Sequence, residues 1–187
     1  MTGSSLTRRG AAATIAAALA TPALAQQGGA DPQNTVYLET KDGRITIRLR
    51  PDLAPKHVAQ IKTLVKRGFY DGLTFHRVID GFMAQTGDPK GNGTGGSDLP
   101  NIPAEFSSAP FKRGTVGMAR SQNPNSANSQ FFICFGDASF LNNQYTVIGE
   151  VTAGLDILDK IKKGDRNANG SVSNPDKIVR MRLAADA

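Results

Sequence analysis

The chain has 187 residues, 39% of them hydrophobic and 20% charged, with a formal net charge of +6. That is enough for one domain with a packed core, and it excludes a chain disordered throughout. A single cysteine, Cys134, excludes an internal disulfide, and 20 glycines with 10 prolines point to a turn-rich, mainly β architecture.

Met1 to Ala25 reads as a secretory leader. Arg8 and Arg9 precede an apolar run, Ala11–Ala20, and Ala23-Leu24-Ala25 offers small residues before a cut after Ala25. The run is too short to span a bilayer, so no membrane span is expected. Thr7-Arg8-Arg9 also resembles a twin-arginine leader, although Gly10-Ala11-Ala12 fits that pattern poorly. The expected location is periplasmic or secreted. The two arginines are the leader's only charges, so its loss takes the net charge from +6 to +4. Gln26 to Asn34 reads as a flexible lead-in, and 35–187 as the folded domain.

Thr35–Glu39 and Arg44–Leu49 alternate around Lys41-Asp42-Gly43, a hairpin signal. Pro55 opens a helix to about Arg67, with Val58, Ile61, Leu64 and Val65 on its buried face and Gly68 as its stop. His57, near the start of that helix, is expected on the surface. Phe75 to Pro89, FHRVIDGFMAQTGDP, reads as strands Phe75–Val78 and Phe82–Thr86 around the turn Ile79-Asp80-Gly81. In an extended strand, Arg77 and Phe75 share one face and His76 and Val78 the other. A charged residue beside an apolar wall points to a strand that lines a site.

Lys90 to Pro110 is a long Gly-, Asn-, Ser- and Pro-rich loop, with Phe106 and Phe111 as expected anchors. Thr115–Ala119, Gln130–Cys134, Tyr145–Val151 and Ile178–Leu183 read as strands, and Gly154–Lys163 as a second helix. Cys134 sits in the apolar run Phe131–Phe135 and is expected to be a buried small hydrophobe. Many strands and two helices give an antiparallel sheet, either a closed barrel or a sandwich.

Several patterns lead nowhere. Gly91 to Gly96 satisfies G-x-G-x-x-G, but Ser97-Asp98-Leu99-Pro100 follows it where a dinucleotide site needs a helix. Asp165, Asn167, Asn169, Gly170 and Asp176 approach a calcium loop, yet Asp replaces the bidentate Glu and Pro175 bars the exiting helix. Two histidines and one cysteine make a zinc site unexpected, so no metal and no cofactor is assigned. The basic residues are scattered without interleaved aromatics, which argues against nucleic-acid binding.

The stretch FHRVI-GFM-Q-GD, with GMARSQNPNSANSQFFICFGDASFLNNQYTVIGEV from Gly117 to Val151, resembles the cyclophilin-type peptidyl-prolyl isomerases. The resemblance runs from about Thr35 to the C-terminus. It implies a closed eight-stranded antiparallel β-barrel capped by two α-helices. It also implies an isomerase acting on proline-containing polypeptides, with Arg77 as the catalytic group. Phe82, Met83, Phe132 and Leu141 would surround the proline ring. Gln85 would orient Arg77, and Ala119, Gln130, Phe140 and Tyr145 would line the groove. Phe140 stands where many members have Trp, which implies weak cyclosporin binding, and Tyr145 stands where many have His. Arg120 replaces a common Asn and is given no contact. A non-catalytic peptide-binding holdase would use the same groove. Nothing in the pattern calls for an obligate oligomer, so a monomer is expected.

Overall fold

The computed structural model describes Met1, Gly3 and residues 30–187. The leader (apart from Met1 and Gly3) and residues 26–29 of the lead-in lie outside the described residues. The end of the lead-in is built, not loose. Pro32–Asn34 forms a 3-10 turn capped by Asp31, whose carboxylate accepts from the Gln33 amide at 2.9 Å.

Strands β1 (Thr35–Thr40) and β2 (Gly43–Leu49) form the expected hairpin. Thr40 pairs with Gly43, so Lys41 and Asp42 alone make the link. Alternation then buries Val36 and Leu38 on one strand and Ile45, Ile47 and Leu49 on the other. Helix α1 (Pro55–Lys66) lays Val58, Ile61, Leu64 and Val65 on the sheet.

The next hairpin is shorter than its sequence pattern: β3 is Arg77–Ile79 and β4 is Met83–Thr86. Phe75 precedes the strand and packs with Val78 in the main core, so strict alternation fails there. Strands β5 (Thr115–Met118), β6 (Phe131–Cys134), β7 (Val147–Ala153) and β8 (Arg180–Leu183) complete the sheet. Helix α2 (Leu155–Lys160) stops before the expected Lys163. Ile161 turns extended, and the Lys162 amide donates to the Asp176 carboxylate at 2.8 Å instead of continuing the helix. No helix among the described residues is long and apolar enough to cross a membrane.

All ladders are antiparallel, in the order β3-β4-β6-β5-β7-β2-β1-β8. Register shifts in the β2–β7 and β5–β7 pairs bend the sheet into a curl. The curl stays open, which corrects the expected closed barrel. The end strands β3 and β8 share no ladder; the chain ahead of each meets at the Thr74–Lys177 bridge and through backbone hydrogen bonds from Gly72 and Phe75 to Ile178 and Asp176 and from Ile178 to Leu73. The reason is that another segment occupies the outer edge of β3. The Val78 amide donates to the Gly170 carbonyl at 2.8 Å, and the Gly164 amide donates to the Val78 carbonyl at 2.8 Å. Gly170 has φ +78°, and a β-carbon there would lie 2.5 Å from Ile79 Cγ1. The turn can press against the strand because that position has no side chain.

Strand β6 is buried on both faces. Phe131 and Ile133 enter the main core under α1, whereas Phe132 and Cys134 enter a smaller cluster with Met83, Phe111 and Leu141. Burial pushes the Cys134 thiol up to about 12. Gly117 on β5 faces Phe132, and a β-carbon there would lie 2.6 Å from both Phe111 and Phe132.

Two expectations reverse. Phe106 is 45% exposed, so of the two expected anchors Phe111 alone is buried. His57 is fully buried. Its Nδ1 lies 2.6 Å from Glu105 Oε2, and that carboxylate also accepts from the Lys56 and His57 amides at 3.2 and 3.1 Å. Glu105 therefore caps α1 from the loop, where Ala54 has no side chain to do so. No local pattern hints at it, because 48 residues separate the pair.

Two outcomes follow from this packing. Gly117→Ala overpacks the Phe111–Phe132 contact and should lower stability by about 1–3 kcal/mol in urea unfolding; an unchanged midpoint would show that the rings yield freely. Burial lowers the His57 pKa against the raising effect of Glu105. A histidine depressed in the folded state takes its proton preferentially when unfolded. Its stabilising share is present above about 6.5 and is lost as pH falls through that value towards the folded one. His76, also lowered by burial, acts in the same direction. Stability should therefore decline from pH 7.5 to 5.5, and less steeply in His57→Asn, which keeps His76. Equal declines in both proteins would refute this account of His57.

Candidate active site

The site is built on one pleat row. Arg77 on β3 pairs with Gln85 on β4, Gln85 with Phe132 on β6, and Phe132 with Gly117 on β5. Paired residues in a sheet point to the same face, so the register alone puts a cation, an amide and an aromatic ring side by side. Met83, two residues before Gln85, shares that face.

Arg77 is half-buried and held on two sides. Its Nη1 donates to Gln85 Oε1 at 3.2 Å. Its Nε and Nη2 donate to the Asn169 carbonyl and Oδ1, each at 3.0 Å. Guanidinium has five N–H groups, so two stay unclaimed among the described residues. Arg77 has no carboxylate partner among the described residues. Burial lowers its pKa from the ordinary arginine value, with Tyr145 opposing. A guanidinium starts so high that it keeps its charge at neutral pH.

A relay of amides runs on from Gln85. Its Nε2 donates to Gln130 Oε1 at 2.9 Å, and Gln130 Nε2 donates to the Gly93 and Gly95 carbonyls at 3.1 and 2.8 Å. Those carbonyls are fixed by Asp88, whose buried carboxylate accepts from the amides of Lys90, Asn92 and Gly93 at 2.8, 3.0 and 2.5 Å. Burial alone would raise the Asp88 pKa, but these N–H groups outweigh it and hold the carboxyl below its ordinary value. The Gly91–Gly96 segment is thus a loop wound on a carboxylate, not a nucleotide-binding turn.

Beside Arg77 opens a cleft of about 410 Å³. Phe132 and Met83 form its floor, Phe82, Leu141 and Tyr145 its walls, and Phe140 its rim. The Phe140 ring is 63% exposed and tilts on Phe82 with centroids 5.2 Å apart. Tyr145 meets Phe132 edge to face at 6.0 Å. Ala119 also lines this cleft, and Gln130 faces an adjoining one of about 210 Å³. The ten residues proposed from the sequence thus come together, nine on one cleft and Gln130 on its neighbour.

The sequence reading omitted three contributors. Asn169 lies 92 residues from the Arg77 that it holds. Its Asn-Gly pair reads only as a turn. Gln144 lines the apolar cleft. Arg120, given no contact, stands on the cleft wall with its guanidinium 4.3 Å above the Tyr145 ring. In the segment Asp165–Asp176, several of the candidate calcium ligands are engaged within the protein. The Asp165 carboxylate accepts from the Asn167 amide, Asn169 Oδ1 serves Arg77, and Asp176 caps Lys162.

Chemically, the cleft offers one fixed cationic donor beside an apolar notch. It presents no nucleophile poised on a base, and no cluster of three or more metal-ligating side chains exists among the described residues. Such a site can grip an apolar ring and donate to a developing lone pair.

Comparison with known proteins agrees with the geometry. A probable peptidyl-prolyl cis-trans isomerase of Brucella suis is 60% identical, over 97% of this chain and 98% of that protein. A peptidyl-prolyl cis-trans isomerase of Helicobacter pylori is 46% identical, over 68% of this chain and 80% of that one. Among solved structures, a cyclophilin of Hirschia baltica superposes with a TM-score of 0.76 at 30% identity, covering 84% of this chain and 76% of that one. A cyclophilin-type isomerase of Cryptosporidium parvum, crystallised in the presence of the dipeptide Ala-Pro, superposes with 0.72 at 28% identity, over 80% and 98%. The family model for cyclophilin-type peptidyl-prolyl cis-trans isomerases matches residues 35–183, and this chain belongs to that family.

Proposed function

We propose that this isomerase accelerates X–Pro rotation in exported polypeptides during their folding, by holding the twisted amide without covalent chemistry. The observation that carries the mechanism is Arg77. It is clamped by Gln85 and Asn169, unpaired with any carboxylate among the described residues, and left with two free N–H groups at the edge of an apolar cleft.

The planar amide resists rotation by about 18–20 kcal/mol because its C–N bond is partly double. X–Pro bonds exchange unaided in roughly tens to hundreds of seconds. Twisting ends the resonance, returns a lone pair to the prolyl nitrogen and removes the charge-separated form. The apolar notch of Phe82, Met83, Phe132 and Leu141 disfavours the more polar planar amide. A free N–H of Arg77 donates to the nitrogen only once it has become basic. Both effects act on the transition state more than on the ground state, which is what lowers a barrier. Gln85 keeps the guanidinium in plane, and Gln130, Ala119, Phe140 and Tyr145 hold the flanking chain.

Export rests on the leader pattern of Met1–Ala25, and a monomer on the absence of any pattern that calls for a partner copy. Phe140 has no indole N–H to offer cyclosporin, so weak binding of that drug accompanies this reading.

Two measurements test it. In Arg77→Ala, cis/trans exchange of an X–Pro peptide should slow by at least about one to two decades, the worth of a charged hydrogen bond; an unchanged rate refutes the mechanism. A reporter fused behind residues Met1–Ala25 should leave the cytoplasm; retention there removes the role with exported clients and leaves the enzyme untouched.

A further inference from the structure

Arg77, Gln85 and Arg120 line a further cleft as well as the apolar one. It is polar, about 390 Å³ in volume, and opens between the turns at Gly91–Gly93 and Ala168–Ser171. Its walls add Asn92, Asn169, Ser171 and His76. His76 is 7% exposed, and neither ring nitrogen has a hydrogen-bond partner among the described residues. No carboxylate lines this cleft. Asp88 lies behind it, 1% exposed and already enclosed by backbone N–H groups.

Among the described residues the charge of Arg120 is met by dipoles and not by a carboxylate. Nη1 donates to the Ser121 and Gln122 carbonyls at 2.9 and 3.4 Å, and Nη2 to the Gln144 carbonyl at 2.8 Å. Nε is buried without a partner among the described residues, which leaves one N–H of Nη2 unclaimed. Tyr145 supports the guanidinium from below. Neither Arg120 nor Arg77 forms an ion pair among the described residues. Two unneutralised arginines therefore face one polar cleft, and such a concave site concentrates negative charge. Asn92 Oδ1 is used by Thr94 and Asn169 Oδ1 by Arg77, which leaves their amide N–H groups as further donors.

We propose that this polar cleft is an anion subsite for the client, in which Arg120 takes the carboxylate of an aspartate or glutamate within two residues of the proline. The proposal rests on the isomerase reading and adds a substrate preference to it. The two clefts share three wall residues, and two residues of extended chain span about 7 Å, so one segment can enter both. Arg77 stays with the prolyl nitrogen, and Arg120 anchors the acid.

The test is a set of X–Pro peptides with Glu, Gln or Lys placed in turn at the two positions before and the two after proline, assayed at low ionic strength. At one or more positions Glu should exceed Gln in kcat/KM by about two- to fivefold, the span of a half-exposed charge pair, with Lys below both. The Glu/Gln ratio should fall to one in Arg120→Gln, persist in part in Arg120→Lys, and shrink at about 1 M salt. A ratio cancels any general loss of activity in the variants, and the salt series on the unaltered protein stands even if one variant fails to fold. Equal turnover of all three peptides at every position, or an acid preference undiminished in Arg120→Gln, overturns the subsite while leaving the isomerase intact. Turnover of no peptide removes both readings.

Discussion

Under the proposed mechanism, the guanidinium of Arg77 has to be immobilised without being neutralised. An aspartate partner would hold Arg77 firmly but would spend its charge. Here neutral oxygens hold it instead: two from Asn169 and one from Gln85. Each fixes an N–H direction, and none brings a counter-charge. The apolar cleft then sits against a cation whose remaining N–H groups have nowhere else to go. Most other features of the site follow from keeping that arrangement in place.

The openness of the sheet is part of the same constraint. If β8 closed against β3, the edge beside Arg77 would be a ladder of strand residues. Instead the turn ending at Ser171 occupies that edge, and the turn carries Asn169 in a left-handed conformation at φ +53°. Asn tolerates that conformation far better than most residues, and it supplies both a carbonyl and a side-chain oxygen. On the opposite side, Gln85 and Gln130 pass the constraint on to a glycine loop wound on Asp88. Strand β3 is thus held between two loops, each ordered by its own buried or capping carboxylate.

The small cluster under the cleft explains why β6 carries no charged or hydroxyl side chain on either face. One side of β6 seals the main core, and the other forms the floor on which an apolar ring can rest. Gly117 sets the depth of that floor, because any side chain there would lift Phe132 into the cleft. Arg120, just beyond the end of β5, adds a second unneutralised charge where the apolar and polar clefts meet.

Local patterns in the chain determined most of the elements. Alternation at Thr35–Leu49 and the period of Val58, Ile61, Leu64 and Val65 each predicted an element that formed, because the physics involved acts within a few residues. The two long motifs named the family, and the ten residues assigned to the groove do converge. What the sequence could not decide are contacts between distant residues. Asn169 on Arg77, Glu105 on His57 and Arg120 on Tyr145 join positions 92, 48 and 25 apart, and no local period encodes such a meeting. The same holds for the closure of the barrel. Strand patterns specify which residues can pair, whereas whether the last edge meets the first depends on which segment reaches it, and here a turn takes the place of a strand.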